Sequence, residues 1–141
     1  MKVLLPVDGS LYTKKMLAYL TTHMGMFAST DNEFTVLTVQ RALPPRARGL
    51  LDQQELASYY SEEAAKVLDP VLSFLQQNNI KATARAEIGS PGETIARCAA
   101  EGKYDLIVMG SHGNSALAGL VLGSVASKVL AACPSPVLLI R

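Results

Sequence analysis

No apolar run in this chain approaches the roughly 20 residues of a membrane-spanning helix, so that kind of segment is excluded. Cysteine is scarce: there are 2, Cys98 and Cys133, far apart and in no CxxC pair. That argues against a disulfide framework or a cysteine zinc site and marks both as buried thiols. Charge is scarce as well. Charged residues make up 18%, with 13 basic against 12 acidic, for a net charge of +1. Such a balance gives no electrostatic reason to expect nucleic acid or a membrane surface as partner. Several motifs are missing too. There is no GxGxxG, no GxxxxGK[S/T], no HExxH and no GxSxG. His23 and His112 have no Cys or Asp partners at ligand spacing, so no metal-binding residues are expected.

What is present is a chain of 141 residues, 49% of them hydrophobic. This suits one domain, residues 1–141, with a real core. The opening residues reach Asp8 too early for a signal peptide, so a cytoplasmic location is expected. Val3 to Val7 reads as a buried strand, stopped by Asp8-Gly9-Ser10. Ser10 is placed to cap the following helix. There Leu17, Leu20, Met24 and Phe27 recur at helical spacing. Phe34 to Val39 is the second strand. Residues 40–51, with Pro44-Pro45, Gly49 and three arginines, read as a loop. Leu56, Tyr60, Ala64, Val67, Val71 and Leu75 define a further helix, which Pro70 is expected to kink or break near Leu68. Ile80 to Ile88 is the third strand. Ser90-Pro91-Gly92-Glu93 carries a capping-box pattern, opening a helix that ends around Gly102. Asp105 to Met109 and Pro136 to Ile140 complete five strands.

Strands alternating with helices predict an α/β fold, a parallel sheet with helices on both faces. Ligands in such sheets bind beyond the carboxyl ends of the strands, where strand order reverses. Two turns at that end stand out. One is Asp8-Gly9-Ser10. The other is Gly110-Ser111-His112-Gly113, followed nine residues later by Gly123-Ser124 at the start of a helical segment, Val125 to Ala132. Glycine admits close backbone approach, and a helix start offers unpaired N–H groups and a partial positive charge. Together they suit an anion cradle, most simply for phosphates. The same residues also suit two loop turns around a buried helix.

The pattern Gly110-x2-Gly113-x9-Gly123-Ser124 resembles the signature of the universal stress protein family, in its ATP-binding branch. The resemblance extends along the chain. Val3-Leu4-Leu5-Pro6-Val7-Asp8-Gly9-Ser10 looks like the family's first strand and turn. Gly89-x-Pro91 with Ile95 looks like its third helix entrance. Asp105 to Gly113 matches closely, and Cys133-Pro-Ser-Pro136-Val-Leu-Leu-Ile140 looks like its closing strand. Residues 40–60 fall outside the match.

The resemblance implies a doubly wound, five-stranded sheet in order 3-2-1-4-5. It implies ATP, with Mg or Mn, as the cofactor. It also implies a homodimer, formed through the apolar edge Val137-Leu138-Leu139-Ile140. By the same likeness Asp8 accepts a hydrogen bond from adenosine, and Val39 packs against adenine. Pro6, Val7 and Met109 wall the ribose and base. Gly110 admits the ribose, while Gly113, Asn114, Gly123, Ser124 and Val125 surround the phosphates. The function so implied is a cytoplasmic, nucleotide-dependent stress-response regulator with an unidentified protein partner. The alternative is a dimeric interaction module without useful nucleotide affinity. No residue is assigned a catalytic role, since no base, cradle lysine or His/Asp pair is evident; slow ATP hydrolysis is the most the pattern supports.

One departure from the family stands out. Residues 114–122 carry no charge, where ATP-binding relatives often have lysine or arginine. A plain N-cap role would also explain Ser124, although a cap alone needs no glycine before it. Arg41, Arg46 and Arg48 lie just beyond the second strand; the loop that bears them reads either as a solvated, mobile loop or as one that folds over the phosphates and supplies the missing charge.

Overall fold

Val3, Leu4 and Leu5 are wholly buried, as a strand in the middle of a sheet covered on both sides must be. They belong to β1 (Lys2–Pro6). The computed structural model describes residues 1–27, 31–114, 119 and 121–141. In chain order the further elements are α1 (Leu11–Thr22), β2 (Glu33–Gln40), α2 (Pro45–Arg48) and α3 (Gln53–Gln77). Then follow β3 (Ala82–Ile88), α4 (Pro91–Glu101), β4 (Leu106–Gly110), α5 (Ser124–Ala132) and β5 (Val137–Ile140). All strand pairings are parallel, in the order β3-β2-β1-β4-β5. The predicted α/β architecture and strand order are both present.

Side chains alternate across each strand, and β1 feeds two cores in this way. Val3 and Leu5 enter a cluster with Met16, Leu17 and Leu20 of α1 and Ala64, Leu68, Val71 and Leu75 of α3. Leu4 enters another with Ile95, Cys98 and Ala99 of α4 and Ala126 and Val129 of α5. Each large side chain so buried stabilises the fold by about 1.5–3 kcal/mol.

The structure corrects four local expectations. α3 runs unbroken through Pro70. Pro70 has no N–H for the Lys66 carbonyl, a loss of about 3 kcal/mol. Leu68, Val71 and Leu75 are buried on either side of it, and together they outweigh that loss. At α4, Ser90 is the N-cap residue but its side chain makes no capping bond. Glu93 instead turns toward Lys128 of α5, with Nζ and Oε1 3.4 Å apart, so no capping box closes. β3 starts at Ala82 rather than Ile80, because Ile80 is tucked under the end of α3 with its N–H on the Leu75 carbonyl. Finally, the stretch read as a loop contains α2, for which Pro45 is a ready first residue.

Candidate functional site

The strand order reverses between β1 and β4, and the turns leaving these two strands meet there. The turn after β1 is built around Asp8. Gly9 takes a φ of +76°, which a side chain disfavours. The Asp8 carboxylate accepts the Ser10 N–H at 3.0 Å and the Thr13 hydroxyl at 3.0 Å. Ser10 then caps α1, accepting the Thr13 N–H. Hydrogen bonding to the residue two ahead is the usual behaviour of aspartate in a turn.

The loop after β4 is fastened to this turn. Asn114 N–H donates to Asp8 Oδ2 at 3.1 Å, and Asn114 Nδ2 donates to the Asp8 carbonyl at 2.9 Å. Gly113 is thereby explained: a Cβ there would stand 2.5 Å from Asp8 Oδ2. Gly110 is equally constrained, since its Cβ would stand 2.6 Å from Tyr12 Cβ. Gly123 N–H donates to the Ser111 carbonyl at 2.7 Å. A Cβ on Gly123 would lie 2.9 Å from the His112 Cα. Close chain packing thus accounts for Gly123. Gly123, not Ser124, occupies the N-cap position of α5, and Ser124 is the first helical residue. The reading of Ser124 as a plain cap is therefore set aside.

These turns enclose a cleft of about 460 Å³, within the usual range for small-molecule pockets. All eleven residues singled out from the sequence line it: Pro6, Val7, Asp8, Val39, Met109, Gly110, Gly113, Asn114, Gly123, Ser124 and Val125. Thr13, Leu37, Pro91, Ile95, His112 and Ala126 also line it and were not anticipated as site residues. Thr13 carries a detectable signal, being the first-turn residue of the helix that Ser10 caps. The others arrive from separate elements, which no local pattern reveals. His112 Nδ1 lies 2.8 Å from Ser111 Oγ, and its ring rests 5.0 Å from that of Tyr12. Of the arginines beyond β2, only Arg41 reaches the cleft. Arg46 and Arg48 sit on α2, and Tyr60 ties the approach to α2 down by accepting the Leu43 N–H at 2.9 Å. The arginine cover over the cleft is thus reduced to Arg41. Residues 115–118 and 120, in the uncharged segment, lie outside the described residues.

The cleft has two kinds of lining. Leu37, Val39, Ile95 and Met109 make part of it apolar. The first turn of α5 also lines it, and there Ser127 is the first residue whose N–H bonds back, to the Gly123 carbonyl at 3.0 Å. The N–H groups of Ser124, Val125 and Ala126 precede that bond and have no helical acceptor. The arrangement can hold a flat apolar group against the apolar lining and an anion at the start of α5.

Fold and cleft together define a doubly wound α/β protein with a cleft at its topological switch point. The universal stress protein family matches residues 1–141, and the chain belongs to it. Universal stress protein YxiE of Bacillus subtilis is 32% identical over 148 residues, covering 99% of this chain and 98% of that protein. Universal stress protein MJ0577 of Methanocaldococcus jannaschii is 32% identical over 89 residues, a stretch spanning 63% of this chain and 55% of that protein. The solved structure of MJ0577 superposes with a TM-score of 0.81 at 27% identity, covering 99% of this chain and 94% of that one. An Arabidopsis thaliana family member, solved with AMP bound, has the same fold: TM-score 0.71, 14% identity, coverage 99% and 90%.

Proposed function

We propose that this protein binds an adenine nucleotide in the cleft and acts as a homodimeric stress-response regulator in the cytoplasm. Nucleotide occupancy favours one state of the dimer and so changes its affinity for a protein partner. The convergence of the two glycine corners with an apolar wall and the start of α5 in one cleft carries this reading. Membership of the family and the AMP found in the Arabidopsis relative support it. The base lies against Val39 and Met109, the ribose near Gly110, and phosphate at Gly113, Ser124 and Val125. Asp8 already holds Ser10, Thr13 and Asn114. A carboxylate has about four acceptor positions, so one remains for a ribose or base donor. ATP, with Mg or Mn, belongs to the ligand class proposed.

Thermal melting with AMP and with Mg-ATP tests the reading. A ligand at 100 times its Kd stabilises by about 2.7 kcal/mol, which raises the midpoint by several degrees. In Gly113→Val, whose side chain must displace Asp8, that rise is abolished. Absence of any rise in the unsubstituted protein would falsify nucleotide binding. One observation favours the second reading, an interaction module of the same fold. Two backbone amides expected at the phosphates, those of Asn114 and Gly123, are already bonded to Asp8 and Ser111.

A further inference from the structure

The phosphate end of the cleft is poor in positive charge. From Gly110 to Val125 the sequence contains no lysine or arginine. Among the described residues lining the cleft, Arg41 is the one Lys or Arg. It follows β2, which stands two strands from β4, about 10 Å at ordinary strand spacing. Arg41 therefore leaves the sheet on the side of the cleft away from the glycine corner after β4. Lys128 of α5 is turned toward Glu93. At the phosphate end stands a carboxylate instead, since Asp8 Oδ2 is fixed against Gly113 and Asn114. The Asn114 and Gly123 amides are already engaged, as described above. Among the described residues, the remaining donors are the amides of Gly113, Ser124, Val125 and Ala126 and the Ser124 hydroxyl, and the His112 ring also lines the cleft.

We propose that the cleft selects nucleotides with a single phosphate group over di- and triphosphates. This rests on the nucleotide reading and deepens it. A phosphate monoester brings about 1.5–2 negative charges, which the first turn of α5 and its hydroxyl can hold. Each further phosphate adds negative charge, with no lysine or arginine between Gly110 and Val125 to meet it and the Asp8 carboxylate to oppose it. Charge-assisted contacts are about twice as strong as neutral ones, and that stretch has no lysine or arginine to make them with the β- and γ-phosphates.

Calorimetric titration of the full chain with adenosine, AMP, ADP and ATP, with and without magnesium, tests the inference. Magnesium is included because a divalent cation between Asp8 and a polyphosphate would offset the deficit. Without magnesium the expected result is AMP at least tenfold tighter than adenosine, with ADP and ATP each at least threefold weaker than AMP; magnesium narrows that gap. ADP or ATP within threefold of AMP or tighter without magnesium, or a gap that magnesium leaves unchanged, overturns the selectivity and leaves the nucleotide reading standing. AMP less than tenfold tighter than adenosine overturns it as well. Binding of none of the four overturns the nucleotide reading itself. Asn114→Lys places a cation at the phosphate end and keeps the backbone N–H on Asp8. It should narrow the gap between AMP and ATP, and an unchanged gap overturns charge as the cause.

Discussion

Asp8 is the residue on which both loops of the cleft depend. Its carboxylate orders its own turn and accepts from Asn114, 106 positions away. Gly113 has no Cβ because Asp8 occupies that space. Part of what reads in sequence as a phosphate motif is thus a packing requirement between two loops. Cys98 shows residue-scale chemistry of another kind. It is wholly buried in the α4–α5 core, and burial pushes its thiol above the usual thiol range. The fold therefore favours the protonated thiol. This contribution to stability is present below the ordinary thiol pKa of about 8.5 and is lost as pH rises through the elevated value. A thiol-alkylating reagent at pH 8 should leave Cys98 unmodified in the native protein and modify it in urea, as read by peptide mass spectrometry.

At the scale of elements, the helix starts separate sequence pattern from realised bonding. Asp52 and Glu55 form a complete capping box on α3, with Glu55 N–H to Asp52 Oδ1 at 2.7 Å and Asp52 N–H to Glu55 Oε1 at 3.3 Å. Ser90 and Glu93 have the same spacing and form none. Asp52→Ala should accordingly cost about 1 kcal/mol in urea unfolding. Ser90→Ala should change stability by less than about 0.5 kcal/mol, as for surface positions without a specific bond. A larger loss in Ser90→Ala than in Asp52→Ala would contradict these bonding patterns. The two sheet edges also differ. β3 is an edge strand that carries a partly exposed Arg85–Glu87 ion pair at 2.7 Å, and charged side chains on an edge strand discourage further pairing. β5 has only Val137, Leu138, Leu139 and Ile140.

At the scale of the whole molecule, β5 is where a second copy is proposed to dock. The Pro136 and Ile140 carbonyls face β4, accepting from Ile107 and Ser111 at 2.9 and 2.8 Å. Backbone groups alternate in direction along a strand, so Val137 and Leu139 turn theirs to the open edge. Leu139→Pro removes an outward donor and keeps those two bonds to β4. In analytical ultracentrifugation the unsubstituted chain should sediment at twice the monomer mass, and Leu139→Pro as a monomer. A monomeric parent chain would remove the proposed dimer.

The sequence by itself determined the alternation of strands and helices, because hydrophobic periodicity and turn residues are local. It also marked eleven of the residues that line the cleft: the glycine corners and Asp8 fall at strand ends, where such sheets bind ligands, and the family resemblance supplied the others. Only the tertiary structure decided how those residues are used. Burial on both sides of Pro70 carried α3 through it, and Lys128 drew Glu93 from its cap. Asp8 and Ser111 took up amides that the sequence pattern reserves for phosphate, and α2 carried Arg46 and Arg48 away from the cleft. Each of these outcomes depends on contacts between residues distant in the chain, which no local pattern encodes.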